Sequence, residues 1–288
     1  MNTHIPTLLQ REWMQHKRGW LIAALAPPLL FLAVLPFGTF TGMPTESPEL
    51  MSVGVVLATT LVIYGICMLI ALFQLPGLAR RDTQDRSIEF WLSLPGRPSE
   101  SVLSTVLAHA WLAPLGGAVV GMLFGVPIAM GVLSNKLGFA DALAVNWGEV
   151  VLASTPLLLR GLAGTVPLML WLAPVIFVLM AASSWLKRLG VPVVLIGGGV
   201  ATAVLNKAYD ISWPSEALSG LSDRINHTLV HDGQSLANTL QSGDNLVTWA
   251  LRDLGATLAE LASLQFIGWA AVAAAAFALI VMKRARGG

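Results

Sequence analysis

The chain has 288 residues, of which 55% are hydrophobic and 11% charged, and its formal net charge is +1. Its mean hydropathy is +0.71. A soluble globular domain has no means of keeping that much apolar surface from water, so composition excludes it, and it equally excludes disorder and collagen. The single cysteine, Cys67, excludes an intrachain disulfide framework.

The charges are clustered. Uncharged runs occupy 19–45, 50–79, 101–135, 161–186, 189–206 and 261–282. A helix rising about 1.5 Å per residue needs roughly 20 apolar residues to cross a hydrocarbon core of about 30 Å. The pattern predicts an all-α, polytopic membrane protein with six transmembrane helices, near 20–40, 52–79, 102–131, 162–185, 190–206 and 263–282. The fifth is short and carries Pro192 and Gly197-Gly198-Gly199. The whole chain reads as one transmembrane domain, 1–288.

Placing both termini in the cytoplasm puts 12 of the 17 basic residues on the inner side. That arrangement satisfies the positive-inside rule. The near-neutral total argues against a nucleic-acid partner. No cleavable signal peptide is expected, because Arg11, Glu12, Lys17 and Arg18 precede an apolar run without a convincing cleavage site.

In chain order, residues 5–18 read as an amphipathic helix that lies along the cytoplasmic membrane surface and runs into span one. Ile5, Leu8, Leu9 and Trp13 share one side, and Gln10, Arg11, Lys17 and Arg18 another. A charged flank that only fixes orientation is the simpler alternative. The loop 41–49 is short, acidic and external. In the third run, Gly117, Gly121 and Gly125 form a small-residue ridge suited to close helix packing, within the subunit or across a dimer seam. Gln74 and His109 are polar groups at membrane depth, where bonding to a neighbouring helix is the ordinary role.

The stretch 132–160 reads as external, with Val150–Leu159 apolar but too short to cross, a piece expected to dip into the membrane instead. The region 207–261 reads as a small external helical cap. Leu218, Leu221, Ile225 and Leu229 mark one tract, and Leu246, Trp249, Leu254 and Leu258 a second. His227 and His231 stand four apart there, but no third or fourth ligand is evident, so they are taken as surface histidines and no metal is assigned.

The most unusual segment is 80–98, predicted to be cytoplasmic. Arg80, Arg81, Asp82, Asp85 and Arg86 make it dense in both signs of charge. Ile88, Trp91 and Leu92 then share a face of a short helix, with Glu89 in its first turn and Pro95-Gly96 at its end. Such an element suits a groove on another protein, or a loop with Trp91 resting in headgroups.

The run Asp82 to Pro95, with Ser87-Ile88-Glu89-Phe90-Trp91-Leu92-Ser93-Leu94-Pro95 at its heart, resembles the loop between spans two and three of ABC-2 type transporter permeases. Val102 to Ser104 at the next span, Leu8-Leu9-Gln10-Arg11-Glu12-Trp13 before span one, and the basic turn Trp185-Leu186-Lys187-Arg188 also resemble that family. The resemblance implies the transmembrane subunit of an ABC exporter in the cell inner (cytoplasmic) membrane. It implies that Arg81, Asp82, Asp85, Arg86, Ile88, Glu89, Phe90, Trp91, Leu92 and Leu94 contact a separate ATP-binding subunit. The helix carrying Leu8, Leu9, Arg11, Glu12 and Trp13 would face the same partner.

A second copy of the permease, or a related permease, would complete the path, with spans two and five at the dimer interface. No G-x-x-x-x-G-K-[ST] sequence is present. The chain is therefore not expected to be an enzyme. It is expected to bind no cofactor of its own, with ATP and Mg²⁺ on the partner. A secondary transporter or channel working without an ATPase is the alternative. It would call for ionisable residues at membrane depth, and the six runs contain no Lys, Arg, Asp or Glu.

Overall fold

The computed structural model describes residues 4–40, 47–84 and 97–285. Among them, all regular structure is helical. We number the helices α1 Ile5–Val34, α2 Pro48–Gln84, α3 Pro98–Leu137, α4 Phe139–Ala144, α5 Trp147–Leu186, α6 190–209, α7 Trp213–Asn226, α8 Gly233–Ser242, α9 Leu246–Ala259 and α10 Leu264–Ala285.

Among the described residues, five helical stretches are long and apolar enough to cross a membrane: Ile5–Phe37, Pro48–Arg80, Pro98–Leu137, Trp147–Tyr209 and Leu264–Ala285. Their outward surfaces are apolar, with Phe73 84%, Leu123 71% and Leu152 73% exposed. Uncovered aliphatic and aromatic side chains in that number match a hydrocarbon solvent rather than water. The chain is a helical membrane protein.

The sequence reading separates spans four and five, whereas 147–209 forms one helical stretch of 63 residues. At about 1.5 Å per residue a straight rod of that length would be about three times as long as the hydrocarbon core is thick. The stretch turns a corner instead. Lys187 adopts a left-handed backbone with φ 56°. Gly190 then sits so close to α5 that a Cβ would lie 2.3 Å from the Ala182 carbonyl oxygen.

Residues 5–18 form the first half of α1, unbroken through to Val34, so the segment runs directly into the first span. Two further expectations change. Val150–Leu159 does not dip on its own, because it is the start of α5 and runs into span four. In α9 the buried residues are Trp249, Ala250, Asp253 and Thr257, not the Leu254 and Leu258 stripe.

The core is the packing of α2, α3, α5 and α10. Leu75, Val102, Met180 and Ile280 centre one apolar cluster. Val53, Leu133, Val150 and Trp249 centre another at the opposite end. The α3 glycine ridge lies directly on α2. A Cβ on Gly117 would meet Cys67 Sγ at 2.6 Å, one on Gly121 would meet Thr60 Cα at 2.6 Å, and one on Gly125 would meet Val56 Cγ1 at 3.0 Å. The ridge serves packing inside this chain.

Two ends follow. At the loop end, where α2 stops and α3 starts, Arg284 Nη1 of α10 donates to Ser101 Oγ at 2.9 Å. Ser183 Oγ of α5 donates to the Pro76 carbonyl at 2.6 Å. Trp185 Nε1 donates to the Leu279 carbonyl at 3.3 Å, and Lys283 lies over the Trp185 ring. At the cap end, α7, α8 and α9 cover the start of α5. Asp232 caps α8 and Asn245 caps α9, each accepting two backbone N–H groups.

Candidate functional site

Glu12 is the only acidic residue before Glu46. Helical spacing puts Leu8, Glu12, His16 and Trp20 on the side of α1 that meets α3, while Trp13 is 48% exposed. The carboxylate is buried and divides its two oxygens. Oε1 accepts from Arg11 Nη2 at 2.6 Å and from Thr105 Oγ1 at 3.3 Å. Oε2 faces His109 Nε2 at 3.3 Å and His16 Nε2 at 3.7 Å.

His109 is fully buried on a π-helical stretch, Leu107–Leu112, inside α3. Widened turns of this kind concentrate at functional sites. Trp20 meets the His109 ring edge-on at 5.0 Å, and His16 does so at 4.5 Å. Ion pairing and hydrogen bonding in a site this dry fix the first half of α1 against the start of α3.

A second network holds the cap end. Arg160 on α5 is buried, and its three nitrogens are all used. Nε donates to Asp253 Oδ2 at 2.8 Å, Nη1 to the Thr228 carbonyl at 3.0 Å, and Nη2 to Thr257 Oγ1 at 2.7 Å. Asp253 also accepts the backbone N–H groups of His231 and Asp232. Beside it, Arg224 pairs with Glu260, and His231 Nε2 lies 3.2 Å from the same carboxylate.

Between α2, α3 and α5, beneath the cap, is a cavity of about 160 Å³. Its lining is mainly aliphatic, with Thr60, Tyr64, Arg160 and Trp249 among it. The Tyr64 hydroxyl is buried and has no hydrogen-bond partner among the described residues.

Of the residues the sequence singles out, Arg81 and Asp82 fall in the last turn of α2. Asp85, Arg86, Ile88, Glu89, Phe90, Trp91, Leu92 and Leu94 lie outside the described residues. Leu8, Leu9 and Arg11 are half-buried and Glu12 is buried. His109 bonds a neighbouring helix through Glu12. His227 and His231 do not share one helix, since α7 ends at Asn226. His227 is exposed, and His231 is occupied by Glu260.

Sequence reasoning misses both polar networks. Their members stand 93 and 97 positions apart for Glu12 with Thr105 and His109, and 93 apart for Arg160 with Asp253. The available signals were a lone acid in a basic segment and a lone arginine between two apolar runs.

Compared with protein-family models, curated proteins and solved structures, the chain matches none.

Proposed function

We propose that this chain is the membrane-spanning subunit of an ATP-binding-cassette exporter of the ABC-2 type. In this reading it crosses the inner (cytoplasmic) membrane six times, both termini are cytoplasmic, and it pairs with a second permease. The resemblance of 80–98 to the family's loop underlies the reading. The observation that carries it furthest is how the ends of that loop are framed.

Segment 85–96 joins α2 to α3. The start of α3 is tied to α1 through Glu12 and Thr105, and to α10 through Ser101 and Arg284. The end of α2 is tied to α5 through Pro76 and Ser183. A push on the loop would therefore pass from α2 and α3 to three further helices, α1, α5 and α10, through short polar ties. A passive linker gains nothing from such bracing, whereas a lever that transmits nucleotide-driven closure of a partner requires it.

Six crossings fit the corner at Lys187. The helix α6 has 20 residues and would be about 30 Å long. It leads from the loop end of α5 to α7 at the cap end, which is the distance of one crossing. Outward apolar stripes on α2 (Val62, Leu69, Phe73) and α6 (Ile196, Val200) are uncovered, consistent with their facing lipid or a second permease. ATP and Mg²⁺ would reside on the ATPase, and the cap would gate the path.

The test is purification of the chain from its native membrane, to see whether an ATP-hydrolysing subunit follows it, and then ATP hydrolysis in proteoliposomes. Glu89→Ala and Trp91→Ala should insert normally and lose stimulated hydrolysis. Normal stimulation in both variants would overturn the assignment.

One observation favours a second reading. Ionisable groups are nonetheless buried, in the Glu12–His109 pair, whose histidine lies within the third apolar run, and in the Arg160–Asp253 pair just outside the runs. A proton-coupled secondary transporter uses such groups. Uptake by the purified chain alone, driven by a pH gradient without ATP, would establish that alternative.

A further inference from the structure

We propose that Glu12, His16 and His109 form a binding site for a divalent transition-metal ion of the Zn²⁺ class, clamping α1 to α3 at the loop end of the bundle. One ligand atom from each residue lies within 4.8 Å of the other two. Glu12 Oε2 is 3.3 Å from His109 Nε2 and 3.7 Å from His16 Nε2. A tetrahedral ion with bonds of about 2.0–2.1 Å holds its ligand atoms about 3.3 Å apart. Two of the three edges of such a site are therefore nearly at their final length.

The donor set is chemically specific. Two imidazoles and one carboxylate oxygen make a mixed nitrogen and oxygen site that suits zinc, and three protein ligands leave one position open. Hard cations such as Mg²⁺ and Ca²⁺ call for more oxygen than this site holds.

The carboxylate is already oriented. Arg11 and Thr105 occupy Oε1, so Oε2 is directed to the histidines. Hydrogen bonds to a ligating carboxylate of this kind tune and aim metal sites. An approach path exists, because the His16 side chain is 26% exposed while Glu12 and His109 are closed off. Trp20 packs against both imidazoles and gives the site a dry wall.

The consequence is mechanical. His16 and Glu12 sit on α1, and His109 on the π-helical stretch of α3, so the ion would add a bond between two helices already joined here by the Glu12 hydrogen bonds and by ring packing on His109. Metal occupancy would stiffen the loop end. This inference does not rest on the exporter reading, and it can be tested on the chain alone.

The experiment uses the full chain purified in detergent, stripped with a chelator and titrated with Co²⁺, then with Zn²⁺ in competition. One Co²⁺ per chain with the intense visible absorption of four-coordinate cobalt is expected, displaced by Zn²⁺. His16→Ala and Glu12→Gln should weaken binding about tenfold or more, a scale at which even outer-shell changes act. His231→Ala should leave it unchanged. No binding by the wild type, or equal binding by His16→Ala, would overturn the site. The His16 position is partly exposed, so that variant reports on binding even if a Glu12 variant fails to fold.

Discussion

Arg160 and Asp253 meet in a buried ion pair, Nη2 to Oδ2 at 2.7 Å, that ties the start of α5 to the cap helix α9. Five further hydrogen bonds converge on the two side chains, from or to Thr228, Thr257, His231 and Asp232. The pair is costly to desolvate and more costly to break on one side.

Asp253→Ala should therefore lower the thermal unfolding midpoint in detergent steeply. It leaves a buried guanidinium without its counter-charge, a loss of about 3–5 kcal/mol. Replacing both partners, Arg160→Met with Asp253→Leu, should recover a large part of that loss. A double variant as unstable as Asp253→Ala would show that the backbone contacts, and not the charges, hold the cap.

Gly121→Val should force α2 and α3 apart, because its Cβ would sit 2.6 Å from Thr60 Cα, a backbone atom that has no rotamer to move. Overpacking of this kind costs about 1–3 kcal/mol. Gly54→Ala is the matched control. It points into open space and should stabilise the α2 helix by roughly 0.5–1 kcal/mol. Thermal melts of the two variants should move in opposite directions.

Tyr64→Phe should leave stability unchanged or slightly raised, since the buried hydroxyl has no hydrogen-bond partner to lose among the described residues. If the cavity it lines receives cargo, transport should fall without a change in the melting temperature. A clear loss of stability would point to a partner for the hydroxyl.

The two-ended bundle makes a topological prediction in a Cys67→Ala background. Phe90→Cys in the loop and Asp223→Cys on the exposed side of α7 should label from opposite faces of the membrane with an impermeant reagent. Labelling of both from one face would overturn the proposed orientation.

The long apolar helices were legible because hydropathy over 20 residues is a local property of the chain. The helix starts at Asp232 and Asn245 rest on contacts just as local, since each cap reaches only two or three residues ahead, although the sequence reading names neither as a cap. The face of α1 was not legible. Apolar spacing marks the side of Leu8, Leu9 and Trp13 as the membrane-facing one and gives no sign that Glu12 goes inside. A lone carboxylate has no reason to be buried until Thr105 and His109 arrive from another helix. The same holds for α9, where Asp253 and Thr257 displace leucines from the interior because Arg160 demands partners.

What the sequence by itself determined is the solvent: uncharged runs this long are stable only in hydrocarbon, and that is a matter of local transfer free energy. What only the tertiary structure decided is which polar groups meet. The joining of α1 to α3 through Glu12, and of α5 to α9 through Arg160, depends on residues more than 90 positions apart, whose attraction becomes strong once packing has excluded water from between them.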